Sequence, residues 1–125
     1  HPRPMTRDEI NALCAALPGA SHVVQWGGAD VWKVGGKVFA IVGGGGEGPD
    51  AAPASVSFKA GEIAFEALQD PPRVIPAPYM ASRGLKWLQD RGGLAPAALA
   101  AEIAASHARV AAGLSRRARA ALGLA

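Results

Sequence analysis

The stretch Val31-Trp32-Lys33-Val34-Gly35-Gly36-Lys37-Val38-Phe39-Ala40-Ile41-Val42 decides the fold class. Two runs rich in β-branched and aromatic residues flank a Gly-Gly pair. Such residues suit a pleated, half-buried surface. A two-residue hairpin turn of the commonest kind needs positive φ at both positions, which glycine adopts without a Cβ penalty. The stretch therefore reads as an antiparallel hairpin. Simple pairing across the turn sets Val34 against Lys37 and Trp32 against Phe39. Alternation then places Trp32, Val34, Lys37, Phe39 and Ile41 on one face, and Val31, Lys33, Val38, Ala40 and Val42 on the other. The first face is the bulkier and is expected to meet the core, with Lys37 escaping at the turn end.

Further strand signals lie on both sides of the hairpin. Val23 to Trp26 is a short extended run closed by Gly27-Gly28, and Ser55 to Lys59 is a strand with Val56 and Phe58 inward and Ser55, Ser57 and Lys59 outward. Lys33 and Lys59 are thus expected on the open face of an antiparallel sheet. The glycine-rich stretch Gly43 to Pro53 reads as a mobile connection. Arg73 to Pro78 is extended, because each proline biases its predecessor away from helix, and Leu85 to Gln89 is the expected last strand.

Helices are predicted at both ends. Thr6-Arg7-Asp8-Glu9 is a capping box, followed by Ile10, Leu13, Cys14 and Leu17 at helical spacing and a stop at Pro18-Gly19. Gly61 to Gln69 is a short helix ended by Pro71-Pro72. Pro96 suits the first turn of a long helix, along which Leu99, Ile103, His107, Val110 and Leu114 form one apolar stripe. Arg116 to Leu122 is a final short helix. The result is an α+β domain, an antiparallel sheet packed against N- and C-terminal helices.

The chain has 125 residues, half of them hydrophobic, which suits one domain and leaves no room for two good cores. That domain is expected over residues 5–125, with His1 to Pro4 read as a vector-derived remnant. All three tryptophans and all three phenylalanines fall between Trp26 and Trp87, which locates the main core. The single cysteine, Cys14, excludes an internal disulfide and a CxxC zinc site. Its place on an apolar helical face makes it a small buried hydrophobe. No apolar run approaches the roughly 20 residues that span a bilayer, and no signal peptide is recognisable. The expected location is the cytoplasm, away from membrane. The net charge of +3 is mild, but four arginines and no acid follow Ile103.

Catalytic and metal motifs are missing. Gly43-Gly44-Gly45-Gly46-Glu47-Gly48-Pro49 lacks the Gly-Lys-Ser/Thr ending of a phosphate loop, and proline follows in place of a helix. His1, His22 and His107 have no ligand partner at metal spacing. His107 is expected as a partly buried, hydrogen-bonded residue on its stripe. The serines carry no nucleophile-elbow context. No cofactor, metal or enzymatic activity is expected. What remains is the interleaving of aromatic and basic residues in Pro76-Ala77-Pro78-Tyr79-Met80-Ala81-Ser82-Arg83-Gly84-Leu85-Lys86-Trp87. Cations neutralise phosphates there, and aromatic rings stack on bases; the alternative is core packing with solvated cations.

With this segment the chain resembles the MmcQ/YjbR family. Successive blocks carry the likeness in family order over residues 6 to 114: Leu17-Pro18-Gly19-Ala20 leading to Trp26-Gly27, Lys33 to Ala40, Val56-Ser57-Phe58-Lys59, Pro76 to Ala81 with Lys86-Trp87, and Glu102 to His107. His107 stands where the family usually has tyrosine, and the Gly43 to Pro53 loop is unusually rich in glycine. The resemblance implies a frataxin-like (CyaY-like) α+β fold and DNA binding through a so-called double-wing arrangement, with no catalytic residues. A frataxin-like iron ridge would need a dense acidic first helix, and this one offers Asp8 and Glu9. The expected function is non-enzymatic binding of double-stranded DNA. Lys33, Lys37 and Lys59 would contact phosphates from the sheet, and Arg83 and Lys86 would do so beside Tyr79 and Trp87. The alternative is a protein- or small-ligand-binding domain that uses the sheet face or the Pro76 to Trp87 loop. A continuous basic strip would favour the first, and an apolar pocket with a few converging polar groups the second.

Overall fold

Glycine at both turn positions allows the central hairpin to close tightly: Gly35 and Gly36 have φ of 58° and 78°. A computed structural model describes residues 3–46, 48–49 and 52–124. The predicted Gly43 to Pro53 connection therefore includes residues 47, 50 and 51, which lie outside the described residues. The hairpin joins β2 (Ala29–Val34) to β3 (Lys37–Gly43). With β1 (Ala20–Gln25), β4 (Ser55–Lys59), β5 (Val74–Pro76) and β6 (Trp87–Asp90) it forms a six-stranded antiparallel sheet in the order β1-β2-β3-β4-β6-β5.

Among the described residues there are also four α-helices, α1 (Arg7–Ala15), α2 (Glu62–Ala67), α3 (Pro96–Ala112) and α4 (Arg116–Ala121), and a 3-10 turn at Ala81–Arg83. The α1 start is the predicted capping box: Thr6 Oγ1 accepts from the Glu9 amide and Glu9 Oε1 accepts from the Thr6 amide. Pro96 opens α3. The stripe Leu99, Ile103, His107, Val110, Leu114 is buried throughout, against Val34, Phe39, Val56, Phe58 and Leu88 of the sheet. The α+β architecture expected from the sequence is the one observed.

The hairpin register differs from the simple pairing. Val34 does face Lys37, and Lys33 faces Val38, but Trp32 faces Ala40. Phe39 is an extra residue on β3, a β-bulge that reverses the alternation beyond it. Phe39 stays inward, as expected, but Ala40 and Val42 join the core. Ile41 turns to the opposite face, opposite Val31 on β2 and Ser57 on β4. A residue of α3 meets the bulge. Ser106 Oγ donates to the Phe39 carbonyl (2.7 Å) and accepts from the Lys59 amide (2.9 Å). A helix hydroxyl thus stands between two strand groups that a regular ladder would pair directly.

A polar cluster fixes α1 on the edge of the sheet. Asp30 accepts from Arg7 Nε, Asn11 Nδ2 and His22 Nε2, and Asn11 Oδ1 accepts from Trp32 Nε1. Burial alone would raise the Asp30 pKa. The hydrogen bonds from His22, Asn11 and Arg7 outweigh it and hold the carboxyl below its usual range. His107, also buried, donates from Nε2 to the Pro18 carbonyl at 2.7 Å and meets Phe39 edge-on. This is the hydrogen-bonded stripe residue that the sequence predicts.

Candidate nucleic-acid interface

Alternation sends Lys59, the last residue of β4, away from the core, and the turn exposes Lys37 at the start of β3. Lys86 is brought alongside by a backbone bond from the Ala60 amide to the Lys86 carbonyl (2.8 Å), just before β6 begins. Arg109 reaches the same place from α3, where its Nη1 donates to the Lys59 carbonyl at 3.2 Å. The Lys59 backbone is therefore clamped on both sides by α3, by Ser106 at its amide and Arg109 at its carbonyl.

The outcome is a groove of about 300 Å³ whose lining holds four cations, Lys37, Lys59, Lys86 and Arg109, and no carboxylate. Among the described residues the ion pairs are Arg3–Glu9, Arg7–Asp30 and His22–Asp30, so none neutralises this groove. Lys86 does rest over the Phe65 ring, with Nζ 4.8 Å from its centroid. Such a contact orients an ammonium without cancelling its charge.

The sequence-predicted residues divide between two places. Lys37, Lys59, Lys86 and Trp87 come together in the groove. Trp87 is buried, however, so it forms the groove's wall and shows little ring face to a partner. Lys33 is half-buried on β2, on the same outer face as Lys59, but is not part of the lining. Tyr79 and Arg83 lie elsewhere and hold each other: the guanidinium is 5.7 Å from the ring centroid, and Nη1 donates to the phenolic oxygen at 3.4 Å. Tyr79 borders a separate cavity on the outer face of the sheet.

Arg109 is the groove residue that the sequence reading missed. In the sequence it stands only within the basic C-terminal segment, but its neighbour Val110 belongs to the buried stripe and so holds Arg109 close to the sheet. Arg116 and Arg117 of α4, from the same segment, are exposed and outside the groove lining.

Cys14 is fully buried on α1, and burial pushes its thiol pKa up to about 12. A thiolate is the reactive form, so alkylation by iodoacetamide at neutral pH is expected to be negligible in the folded protein and fast in denaturant. Rapid labelling of the folded chain would contradict this placement. Among the described residues no three His, Cys, Asp or Glu side chains gather as a metal site, and no helix is long and apolar enough to cross a membrane.

A protein-family model described as YjbR matches residues 15–109. A crystal structure of the Deinococcus radiodurans protein DR2400, described with the domain DUF419, matches the fold with a TM-score of 0.78 at 21% sequence identity, covering 100% of this chain and 92% of that one. At that identity the likeness is one of fold. None of the curated proteins matches this sequence.

Proposed function

The chain belongs to the YjbR family, and from that premise we propose that it is a non-enzymatic, cytoplasmic DNA-binding domain that holds backbone phosphates in the basic groove. One observation carries the reading. Four separate segments each deliver a cation, Lys37, Lys59, Lys86 and Arg109, to one groove without an acid. A surface that gathers like charges pays for their repulsion, and a polyanionic partner removes that cost. Phosphates approaching the groove would displace condensed counterions, which supplies affinity without regard to base sequence. Among the described residues Arg109 donates a hydrogen bond through one nitrogen, to the Lys59 carbonyl, and a guanidinium has further donors for a phosphate oxygen.

The test is a titration of the protein against a duplex at several salt concentrations. Binding is expected to weaken steeply with salt, with a log–log slope of about −0.9 for each phosphate contacted. Lys37→Gln combined with Lys86→Gln is expected to flatten the slope by roughly two contacts. Both residues are exposed, so the thermal midpoint should hardly move. Sequence preference is expected to be weak. Absence of binding at about 50 mM salt, or an affinity that ignores salt, would defeat the proposal.

A further inference from the structure

We infer that the cavity on the outer face of the sheet is a pocket for a planar nitrogen heterocycle the size of a nucleobase, held between Trp26 and Tyr79 over Ser57 and Gln89. The cavity measures about 440 Å³, and its walls are largely apolar, including Ile41 and Met80. That volume lies towards the lower end of small-ligand sites and admits a base together with its sugar.

The rim has an unusual backbone. Trp26 and Tyr79 are the non-glycine residues with positive φ among the described residues, at 53° and 50°. Bulky side chains rarely adopt that conformation. Here it does not serve core packing, because the two residues are 62% and 70% exposed. Strain of this sort gathers where a side chain must be presented to a partner. Tyr79 is further braced by Ser82 Oγ, which donates to its carbonyl at 2.6 Å, and by the Arg83 guanidinium over its ring. Two exposed aromatic rings on the rim of one cavity suit a flat guest.

The floor carries two polar groups that open into the cavity. Ser57 and Gln89 are direct cross-strand partners on β4 and β6, so their side chains stand together. Among the described residues the Ser57 hydroxyl makes no hydrogen bond, although the residue is 7% exposed. Gln89 Oε1 accepts from Arg91 Nε at 2.8 Å, which orients the amide, and its NH₂ has no acceptor among the described residues. A hydroxyl that donates or accepts, beside an amide that donates, matches the edge of a heterocycle with ring nitrogen and carbonyl groups. An acyl chain would leave both unpaired, and a sugar would find too few polar partners.

The surroundings fit a nucleotide. Lys59 lies two residues from Ser57 on the same face of β4, a step of about 6.5 Å. A base in the cavity would thus carry its phosphate towards the basic groove. When the heterocycle is an unpaired base of a bound strand, the inference rests on the DNA-binding reading. When it is a free nucleoside, it does not.

The fluorescent base 2-aminopurine, which is quenched on stacking, separates these cases. The intact protein is titrated with 2-aminopurine riboside, with a duplex carrying one unpaired 2-aminopurine, and with a fully paired duplex. Saturable quenching of the riboside supports the pocket on its own. Quenching confined to the unpaired base supports it as part of strand binding. Trp26→Ala and Tyr79→Ala are each expected to weaken the interaction about tenfold, and both positions are exposed enough to leave the fold intact. Ser57→Val and Gln89→Leu should weaken it as well. No quenching of either probe, or unchanged quenching in both aromatic variants, overturns the inference. If salt-dependent duplex binding persists while quenching is absent, the pocket fails and the groove stands. If the riboside is quenched while duplexes do not bind, the groove fails and the pocket stands.

Discussion

Replacing Phe39 by alanine is expected to lower the unfolding free energy by about 3–5 kcal/mol, read from urea denaturation. Phe39 has no solvent exposure and lies under α3, edge-on to His107 with ring centroids 5.2 Å apart. Truncation would remove its apolar burial and leave a cavity that the helix and sheet cannot close. Against a typical total of about 5–15 kcal/mol the loss is large. Ile41→Ala is the informative companion. In a hairpin without a bulge Ile41 would share the core face with Phe39, and its truncation would cost a similar amount. With the bulge, Ile41 lies half-exposed on the opposite face, and about 1 kcal/mol is expected, because only part of its side chain leaves water. Equal losses for the two variants would contradict the observed register.

Ser106→Ala is expected to cost about 2–4 kcal/mol, although it deletes a single oxygen atom. Ser106 is fully buried, and its hydroxyl serves both the Phe39 carbonyl and the Lys59 amide. Alanine would leave both groups buried without a partner, each at a cost of about 1–3 kcal/mol. The damage should be local as well as global. Native-state hydrogen exchange at the Lys59 amide is expected to accelerate well beyond the change in global stability. A loss below about 0.5 kcal/mol, in the range of an ordinary surface substitution, would show that the bulge does not depend on this hydroxyl. Because Lys59 lines the basic groove, the proposed duplex binding should also weaken in this variant, with its salt slope little altered, since no charge is removed.

Much of the frame was legible in the residues because it depends on short-range geometry. Gly35-Gly36 could only be a turn with two positive φ values, and a Cβ at Gly35 would also meet Leu114 Cδ1 at 2.6 Å. The Thr6–Glu9 box, Pro96 at a helix start, the buried stripe from Leu99 to Leu114 and the burial of Cys14 all follow from spacing along one element. Turn position and alternation mark Lys37 and Lys59 as exposed cations, the segment before the last strand does so for Lys86, and the structure places all three in one groove.

Other features required the chain to meet itself. The bulged Phe39 carbonyl is met by a serine 67 residues further on, and no pattern within the hairpin could announce that contact. Once the bulge is present, the face taken by Ile41 and the whole outer row Val31, Ile41, Ser57, Gln89 and Ile75 follow from the strand registers. Arg109 enters the groove only because α3 crosses β4 beside Lys59, and Trp26 and Tyr79 share a cavity although 53 positions separate them in the numbering. Periodicity and capping are properties of neighbouring residues, where backbone sterics dominate. Register shifts and the convergence of charges are set by side-chain hydrogen bonds and packing between distant segments, and those contacts exist only after the sheet and α3 have come together.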